Sequence, residues 1–409
     1  MRILWLQKRL LFPADRGAKI RTLNVVRHLA RWHEVTYLSN VSPEEQSHVR
    51  EMRELGVRLE AIPWTEAPRG SLRFYFQLAA NSFSPNPFSV AKDTDRRLRR
   101  RAVELLRSEP FDVVVCDFVQ MARNATGLNT PARILFQHNV EAQIFARHAR
   151  TDRGLLRRAV MWLQWRKMRR FEARAGHWFD AVVCVSPEDQ RTFQREYGWT
   201  HVHTIDTAVD TEYFRPNGAL EQEDRVVFVG SLDWPPNQDG LRRLADEIWP
   251  VVRQRRPHAQ LAVVGRNPQR DVRALAERPG IDVVGSVPDV RPYLAGASVV
   301  VVPLWVGGGT RLKIFEAMAM QKAVVSTPVG AEGLPVVHGT HLLVADRPNE
   351  FADCVVQLLE DRSRRTELAA RARELVTTRF SAQTVARQFE RICQETVEAA
   401  RGEVLGVRC

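Results

Sequence analysis

Cysteine is scarce in this chain. Five occur in 409 residues, Cys116, Cys184, Cys354, Cys393 and Cys409, and none has the paired spacing of a thiolate metal site. Cys116 and Cys184 sit inside apolar runs, where a small buried thiol is ordinary, so the usage fits a reducing cytoplasm. Long apolar runs are missing as well. The stretch Arg2-Ile3-Leu4-Trp5-Leu6 is too short for the core of a secretory leader, and the longest run, near residues 297–306, is about half of a membrane span. The expectation is a soluble or peripherally bound chain. No G-x-G-x-x-G follows the first apolar run, which argues against a dinucleotide-dependent oxidoreductase. No metal-ligating cluster, short-period repeat or low-complexity tract stands out.

Acidic residues are also in short supply. Sixty Lys and Arg against 48 Asp and Glu leave a net charge of +12. Much of the excess lies in residues 147–174, where Arg147, Arg150, Arg153, Arg157, Arg158, Arg166, Lys167, Arg169, Arg170 and Arg174 face only Asp152 and Glu172. Leu155, Leu156, Trp162, Trp165, Met168 and Phe171 are interleaved with them. A basic helix carrying tryptophans suits an anionic membrane surface. A domain-packing helix with a solvated outer face fits the same residues, and the sequence leaves both readings open. Nucleic acid is not expected as a partner, because no binding motif or run of stacking aromatics accompanies the charge.

What the chain does have is alternation. Strand-like runs at residues 3–6, 35–38, 57–62, 113–116, 134–136 and 181–185 are separated by amphipathic stretches such as 20–32, 96–107 and 155–174. A second series starts at 226–229 and continues at 261–264, 283–284, 299–302, 324–326 and 342–344. This pattern predicts two parallel α/β sheets. The turn-rich, then acidic segment 213–224 reads as a linker, and 381–400 is one helical pattern with no strand after it. Ligands of such sheets bind outside the carboxyl ends of the strands.

The most informative stretch is 298–334. An apolar run ends in Gly307, Gly308 and Gly309, and Thr310, Arg311 and Lys313 then open a helical segment bearing Glu316. A strand, a glycine loop and a helix N-terminus make an anion-receiving unit, since open N–H groups and the dipole favour phosphate. At 100° per residue, Leu312, Ile314, Phe315 and Met318 share an apolar arc, while Lys313 and Glu316 lie three apart on the opposite one. They could hold a diphosphate and a ribose, or simply pair with each other on a solvated face.

These residues carry a resemblance. VPLWVGGGTRLKIFEAMAMQKAVVSTPVGAEGL, with FVGSLDWPPNQDGLRRL before it, resembles the retaining glycosyltransferases of family 4. PADRGAKIRTLNVVRHLA and LFQHNVEAQIFARH look like the branch that serves exopolysaccharide and surface-glycan systems. The resemblance implies the GT-B fold, two doubly wound Rossmann-like domains facing a central cleft. The implied division is an acceptor-binding domain at 1–212, a linker at 213–224, a nucleotide-sugar-binding domain at 225–380, and a C-terminal helix and tail at 381–409 that packs back on the first domain. It implies no cofactor and no metal, a nucleoside-diphosphate sugar as donor, and a glycan or lipid-linked acceptor.

Residue by residue, the family's ribose-binding glutamate falls on Glu316, while the glutamate eight positions earlier, which contacts the donor sugar, falls on Gly308. The family's Arg and Lys after the first strand of the second domain are absent from Gly230-Ser231-Leu232-Asp233 to Asn237. Arg311 and Lys313 are the natural substitutes, with Gly309 and Thr310 N–H groups beside them. Gly17 closes a loop, 13–17, that matches the family's glycine loop near the donor phosphate, or is a plain turn. His138 matches the cleft histidine that contacts donor sugar and reacting centre, with Asn139 and Glu141 as polar neighbours on the acceptor side. Gly285 and the Val287-Pro288-Asp289 segment resemble the nucleobase cradle, and Asp210 a junction turn. No carboxylate pair at glycosidase spacing can be assigned, which fits a front-face reaction in which the leaving phosphate takes the acceptor proton. A sugar-nucleotide 2-epimerase of the same fold and a non-catalytic sugar-nucleotide-binding scaffold are the competing expectations.

Overall fold

The computed structural model describes residues 1–14, 17–68, 70–151, 154–306 and 312–406. Gly307, Gly308, Gly309, Thr310 and Arg311, together with Asp152, Arg153 and Cys409, were named above and lie outside them. The chain divides into two compact units, Met1–Thr207 with Val385–Cys409, and Ala208–Thr384. The sequence reading put those boundaries at 212 and 381.

The first unit holds a seven-stranded sheet: β1 (Arg2–Gln7), β2 (Glu34–Val41), β3 (Arg58–Pro63), β4 (Val113–Asp117), β5 (Ala132–Phe136), β6 (Ala181–Cys184) and β7 (Val202–Thr204). All pair in parallel in the order β3-β2-β1-β4-β5-β6-β7, so the order reverses between β1 and β4. A parallel sheet is covered on both faces, which is why β4 is a run of buried residues rather than an alternation. One face carries Leu4, Leu38, Val114, Leu135, Met168, Phe171 and Phe193. On the other, Trp5 meets Phe136 edge-on at 6.1 Å, and both rings contact Phe389 of the last helix, Ala382–Gly406. His33 and Glu390 fasten the same helix at 2.7 Å. Helix ends follow local chemistry: Pro187–Tyr197 starts at Ser186, whose hydroxyl accepts from Asp189 N–H, and stops at Gly198 with φ 68°.

The second unit has β8 (Arg225–Val229), β9 (Gln260–Val264), β10 (Ile281–Gly285), β11 (Val299–Val302), β12 (Ala323–Ser326) and β13 (Leu343–Val344), all parallel in the order β10-β9-β8-β11-β12-β13. Its order reverses between β8 and β11. Residues 213–224, read above as a linker, are tied to this unit: Arg291 stacks on Tyr213, Glu221 pairs with Lys322 and Arg365, and Asp224 with Arg256.

The basic segment forms the helices Glu141–Thr151 and Leu155–Ala175. The longer one is two-faced. Gln164, Lys167, Met168, Phe171 and Glu172 are buried, and Arg158, Arg166, Arg169, Arg170 and Arg174 point to solvent.

Candidate active site

In the first unit the polar residues gather where β1, β4 and β5 end. Asp117, the last residue of β4, is fully buried. Its Oδ2 accepts from Gln7 Nε2 at 2.7 Å, Thr22 Oγ1 at 2.7 Å and Trp5 Nε1 at 3.2 Å, and its Oδ1 lies 2.8 Å from His138 Nε2. With the carboxylate as acceptor, Nε2 is the donating nitrogen, and Nδ1 is the ring nitrogen left over. His138 Nδ1 is buried with no partner among the described residues. The imidazole is held between Phe118 and Phe136, at ring-centroid distances of 4.4 and 4.3 Å. Phe118 carries φ 72°, a conformation that a bulky side chain rarely adopts and that costs of order 1–3 kcal/mol. An orphaned ring nitrogen beside a strained residue, at a strand-order reversal, is the combination expected where a ligand completes the bonding.

Asn139 and Glu141 follow His138, yet the Glu141 carboxyl does not join the Asp117 network. It bonds Gln120 and Asn139, and burial pushes it up to about 7. The N-terminus of its helix is capped from a distance. Glu172 accepts from Glu141 N–H at 3.0 Å, Ala142 N–H at 3.1 Å, Gln137 Nε2 at 3.0 Å and Tyr197 OH at 3.0 Å. Burial still raises the Glu172 carboxyl to about 8. Beyond β1, Lys8 meets Asp93 at 2.5 Å, and Glu66 receives Lys92 at 2.5 Å and Arg9 at 2.7 Å. Burial opposes ionisation of Glu66, but Lys92, Lys8 and Arg9 outweigh it and hold the carboxyl at about 2. Gly17 opens the helix Gly17–Trp32, and a Cβ there would meet nothing within 4 Å.

The second unit is furnished differently. Lys313 lies in the first turn of the helix Leu312–Ala319, and its ammonium reaches across the reversal to the end of β8. It donates to Asn237 Oδ1 at 2.8 Å and sits over the Phe228 ring at 4.8 Å. A Cβ on Gly230 would lie 2.8 Å from Asn237 Nδ2 and 2.9 Å from Lys313 Nζ, so this position must be glycine for the lysine to lie against the backbone. Gly265, after β9, approaches Gly230 so closely that a Cβ would stand 1.7 Å from its carbonyl oxygen. Arg266 donates to Ser231 Oγ at 3.0 Å. Two cations reach residues 230–237 from elsewhere in the unit: Lys313 from the next crossover helix and Arg266 from the β9 loop. Sequence reading named the first and missed the second.

Glu316 lies one turn beyond Lys313. Burial pushes its carboxyl up to about 7 in spite of the nearby ammonium. Gly285 has φ 78° and ends β10; its carbonyl accepts from Gly265 N–H at 2.8 Å, joining the two loops. Asp289 is bound by Arg291, and Asp210 caps its own turn through Glu212 and Tyr213 N–H. Among the described residues, no group of three or more His, Cys, Asp or Glu is placed to hold a metal ion.

This arrangement can be set beside known proteins. Residues 16–213 match the model of Glycosyltransferase Family 4, and residues 223–361 that of Glycosyl transferases group 1. Both halves place the chain among these glycosyltransferases. It is 21% identical over 300 residues to an uncharacterized 44.6 kDa protein in the cps region of Klebsiella pneumoniae, covering 70% of this chain and 75% of that one. Over 239 residues it is 30% identical to a GDP-mannose-dependent alpha-(1-6)-phosphatidylinositol monomannoside mannosyltransferase of Mycobacterium tuberculosis, spanning 52% of this chain and 61% of that protein. The crystal structure of Anabaena HepE in complex with UDP superposes with a TM-score of 0.67 at 14% identity, over 97% of this chain and all of that one. The fold is GT-B.

Proposed function

We propose that this glycosyltransferase moves a sugar from a nucleoside diphosphate to a hydroxyl of a glycan or lipid-linked precursor of a surface polysaccharide, with retention at the anomeric carbon. The observation that carries the reading is the Lys313 ammonium, drawn across the strand-order reversal to the backbone of Gly230. A cation in that place meets the charge of a departing diphosphate. The UDP in HepE and the GDP-mannose in the name of the mycobacterial relative support a nucleotide-sugar donor, and the cps region of the Klebsiella relative supports a surface glycan.

In this reading the second unit holds the nucleotide. Lys313 binds the diphosphate together with Arg311 and the N–H groups of Gly308, Gly309 and Thr310. Glu316 accepts from the ribose hydroxyls, and the loop beginning at Gly285 takes the base. From the first unit, Gly17 lies by the donor phosphate, His138 contacts the donor sugar through its unpartnered Nδ1, and Asn139 and Glu141 serve the acceptor side. The bond from the anomeric carbon to the diphosphate oxygen breaks, the bond to the acceptor oxygen forms on the same face, and the acceptor proton passes to the leaving phosphate. Preorganised donors aimed at that developing charge form the largest catalytic term in such a step.

A panel of sugar nucleotides tests this by thermal stabilisation, since a ligand at a hundred times its Kd adds ~2.7 kcal/mol. One donor, or a small related group, should raise the melting temperature. That donor should be consumed with acceptor, in the presence of a chelator, to give a product of retained anomeric configuration by NMR. Epimerisation of the sugar without acceptor, or no stabilisation by any donor, would overturn the proposal.

A further inference from the structure

The first unit carries an apolar surface that its own core does not cover. The helix Leu72–Asn81 is firmly built: Ser71 caps it by accepting from Phe74 N–H, and Phe74 packs edge-on against Phe88 at 5.5 Å. Asn81 alone is buried in it. Leu72, Phe76 and, just past its end, Phe83 are 90%, 75% and 95% exposed, with Tyr75 beside them. The spacing 72, 75/76, 79/80, 83 lines them along one side. Hydrogen bonds fasten this element to the long basic helix: Lys167 Nζ donates to Asn81 O at 2.6 Å and Ser82 O at 3.2 Å, and Gln164 to Asn81 Oδ1 at 3.1 Å. Phe83, Pro85, Trp162, Leu163, Arg166 and Arg170 then line a common groove of about 890 Å³, with the Arg166 guanidinium 4.8 Å over the Trp162 ring. One helical face upstream of Trp162, Leu155 is 82% exposed.

Charge decides what this surface fits. No Asp or Glu occurs from residue 67 to 92, and the one carboxylate of the helix Leu155–Ala175, Glu172, is buried and spent on capping. The face therefore presents exposed aromatic and leucine tips beside Arg158, Arg166, Arg169, Arg170 and Arg174 with no acidic residue among them. A second copy of the chain would bring this cationic face against itself. A lipid interface offers the complement: anionic headgroups for the guanidiniums, acyl chains for Phe and Leu, and a boundary at which Trp and Tyr settle. No described helix is long and apolar enough to cross a membrane, so the contact is peripheral.

We infer that the helix Leu72–Asn81, the Phe83 turn and the outer face of Leu155–Ala175 together form a docking surface for an anionic lipid bilayer. The inference stands on the first unit alone and is independent of the donor chemistry proposed above.

Flotation of the full chain with vesicles tests it. The chain should rise with phosphatidylcholine and phosphatidylglycerol in about a two-to-one mixture, rise little with phosphatidylcholine alone, and be released by salt. Phe76→Ser with Phe83→Ser should weaken partitioning about ten-fold or more, because the exposed tips contribute burial only when inserted. Arg166→Gln with Arg170→Gln should weaken it by about 25-fold, at about five-fold per arginine. Nucleotide-sugar stabilisation of both variants should equal that of the parent. The inference falls if the parent ignores anionic vesicles, if it binds neutral ones equally well, or if the variants bind as the parent does. It also falls if the phenylalanine pair instead breaks a self-associated form without lipid, which would make a second copy the occupant.

Discussion

Beside the strand-order reversal of the first unit stands a carboxylate, Asp117, buried under Gln7, Thr22, Trp5 and His138. Beside that of the second stands Gly230, with no side chain and a lysine laid against its backbone. Both sheets are parallel and doubly wound, so both offer the same crevice to a ligand. One fills it with its own donors and acceptors, and leaves His138 Nδ1 without a partner among the described residues. The other lines it with glycine and backbone, against which the Lys313 ammonium lies. The same topology thus holds two arrangements, a largely satisfied polar network in one unit and, in the other, the glycine-lined crevice proposed above to receive the donor diphosphate.

The sharpest way to break that contrast is to remove the lysine. Lys313→Ala should lower turnover by about 10²-fold or more, the loss typical of one preorganised donor at a developing charge, ~3–4 kcal/mol. Its melting temperature should stay close to that of the parent, because Lys313 lies in the first turn of its helix, at a rim and not in the apolar core. Steady-state rates beside a melting curve decide the matter. A variant that unfolds early while retaining turnover per folded molecule would make Lys313 structural and remove the distinction between the two rims.

The first rim should respond in the other currency. Asp117→Ala strands the indole N–H, the Gln7 amide, the Thr22 hydroxyl and His138 Nε2 without their acceptor in a buried setting. Unmet buried donors cost ~1–3 kcal/mol each where water cannot reach them, and partial rearrangement brings the expected total to about 3 kcal/mol. Urea denaturation measures it directly. An unchanged midpoint would mean that water replaces the carboxylate, and that this rim is as open as the other.

Why one rim was legible in sequence and the other was not follows from distance along the chain. The segment read as an anion-receiving unit is local in sequence: glycines, cation and helix start lie within a dozen positions, and Lys313 could be named from them. Its partner Asn237 is 76 positions away and could not. The Asp117 network is entirely non-local, drawing on residues 95, 110 and 112 positions distant, and Asp117 itself reads only as the last residue of an apolar strand. His138 was visible because it closely follows a strand, whereas sequence could not show that Glu141 bonds Gln120 and Asn139 and stays out of the Asp117 network. The fold was easier, since buried parallel strands announce themselves as continuous Val, Ile and Leu runs. Only the edge strand β7, three residues with polar neighbours, escaped. The exposed stripe from Leu72 to Phe83 escaped for the opposite reason: in sequence an apolar helical face looks like core, and only coordinates show that nothing covers it.

Protons provide the finest division between the rims. In the first unit burial raises Glu172 to about 8 and Glu141 to about 7, from an ordinary 4.5. A carboxyl raised in the folded state holds its proton after the unfolded chain has lost it. Stability from these groups is therefore greatest at or below pH ~4.5 and falls as pH rises toward 8. Glu172→Gln should flatten that fall in urea midpoints taken across the window. Glu316 is also raised to about 7, but it lies in the rim proposed to hold the donor, and as a carboxylate it is the better acceptor for ribose hydroxyls. Donor affinity should then rise with pH through 7, by about ten-fold from pH ~6 to ~8, and level off above. The intact sugar nucleotide is the right probe, because its diphosphate has no proton left to lose in that range. Glu316→Gln should bind it with an affinity independent of pH. If the slope survives in that variant, the titrating group is another one, and Glu316 belongs with the satisfied residues of the fold rather than with the ligand.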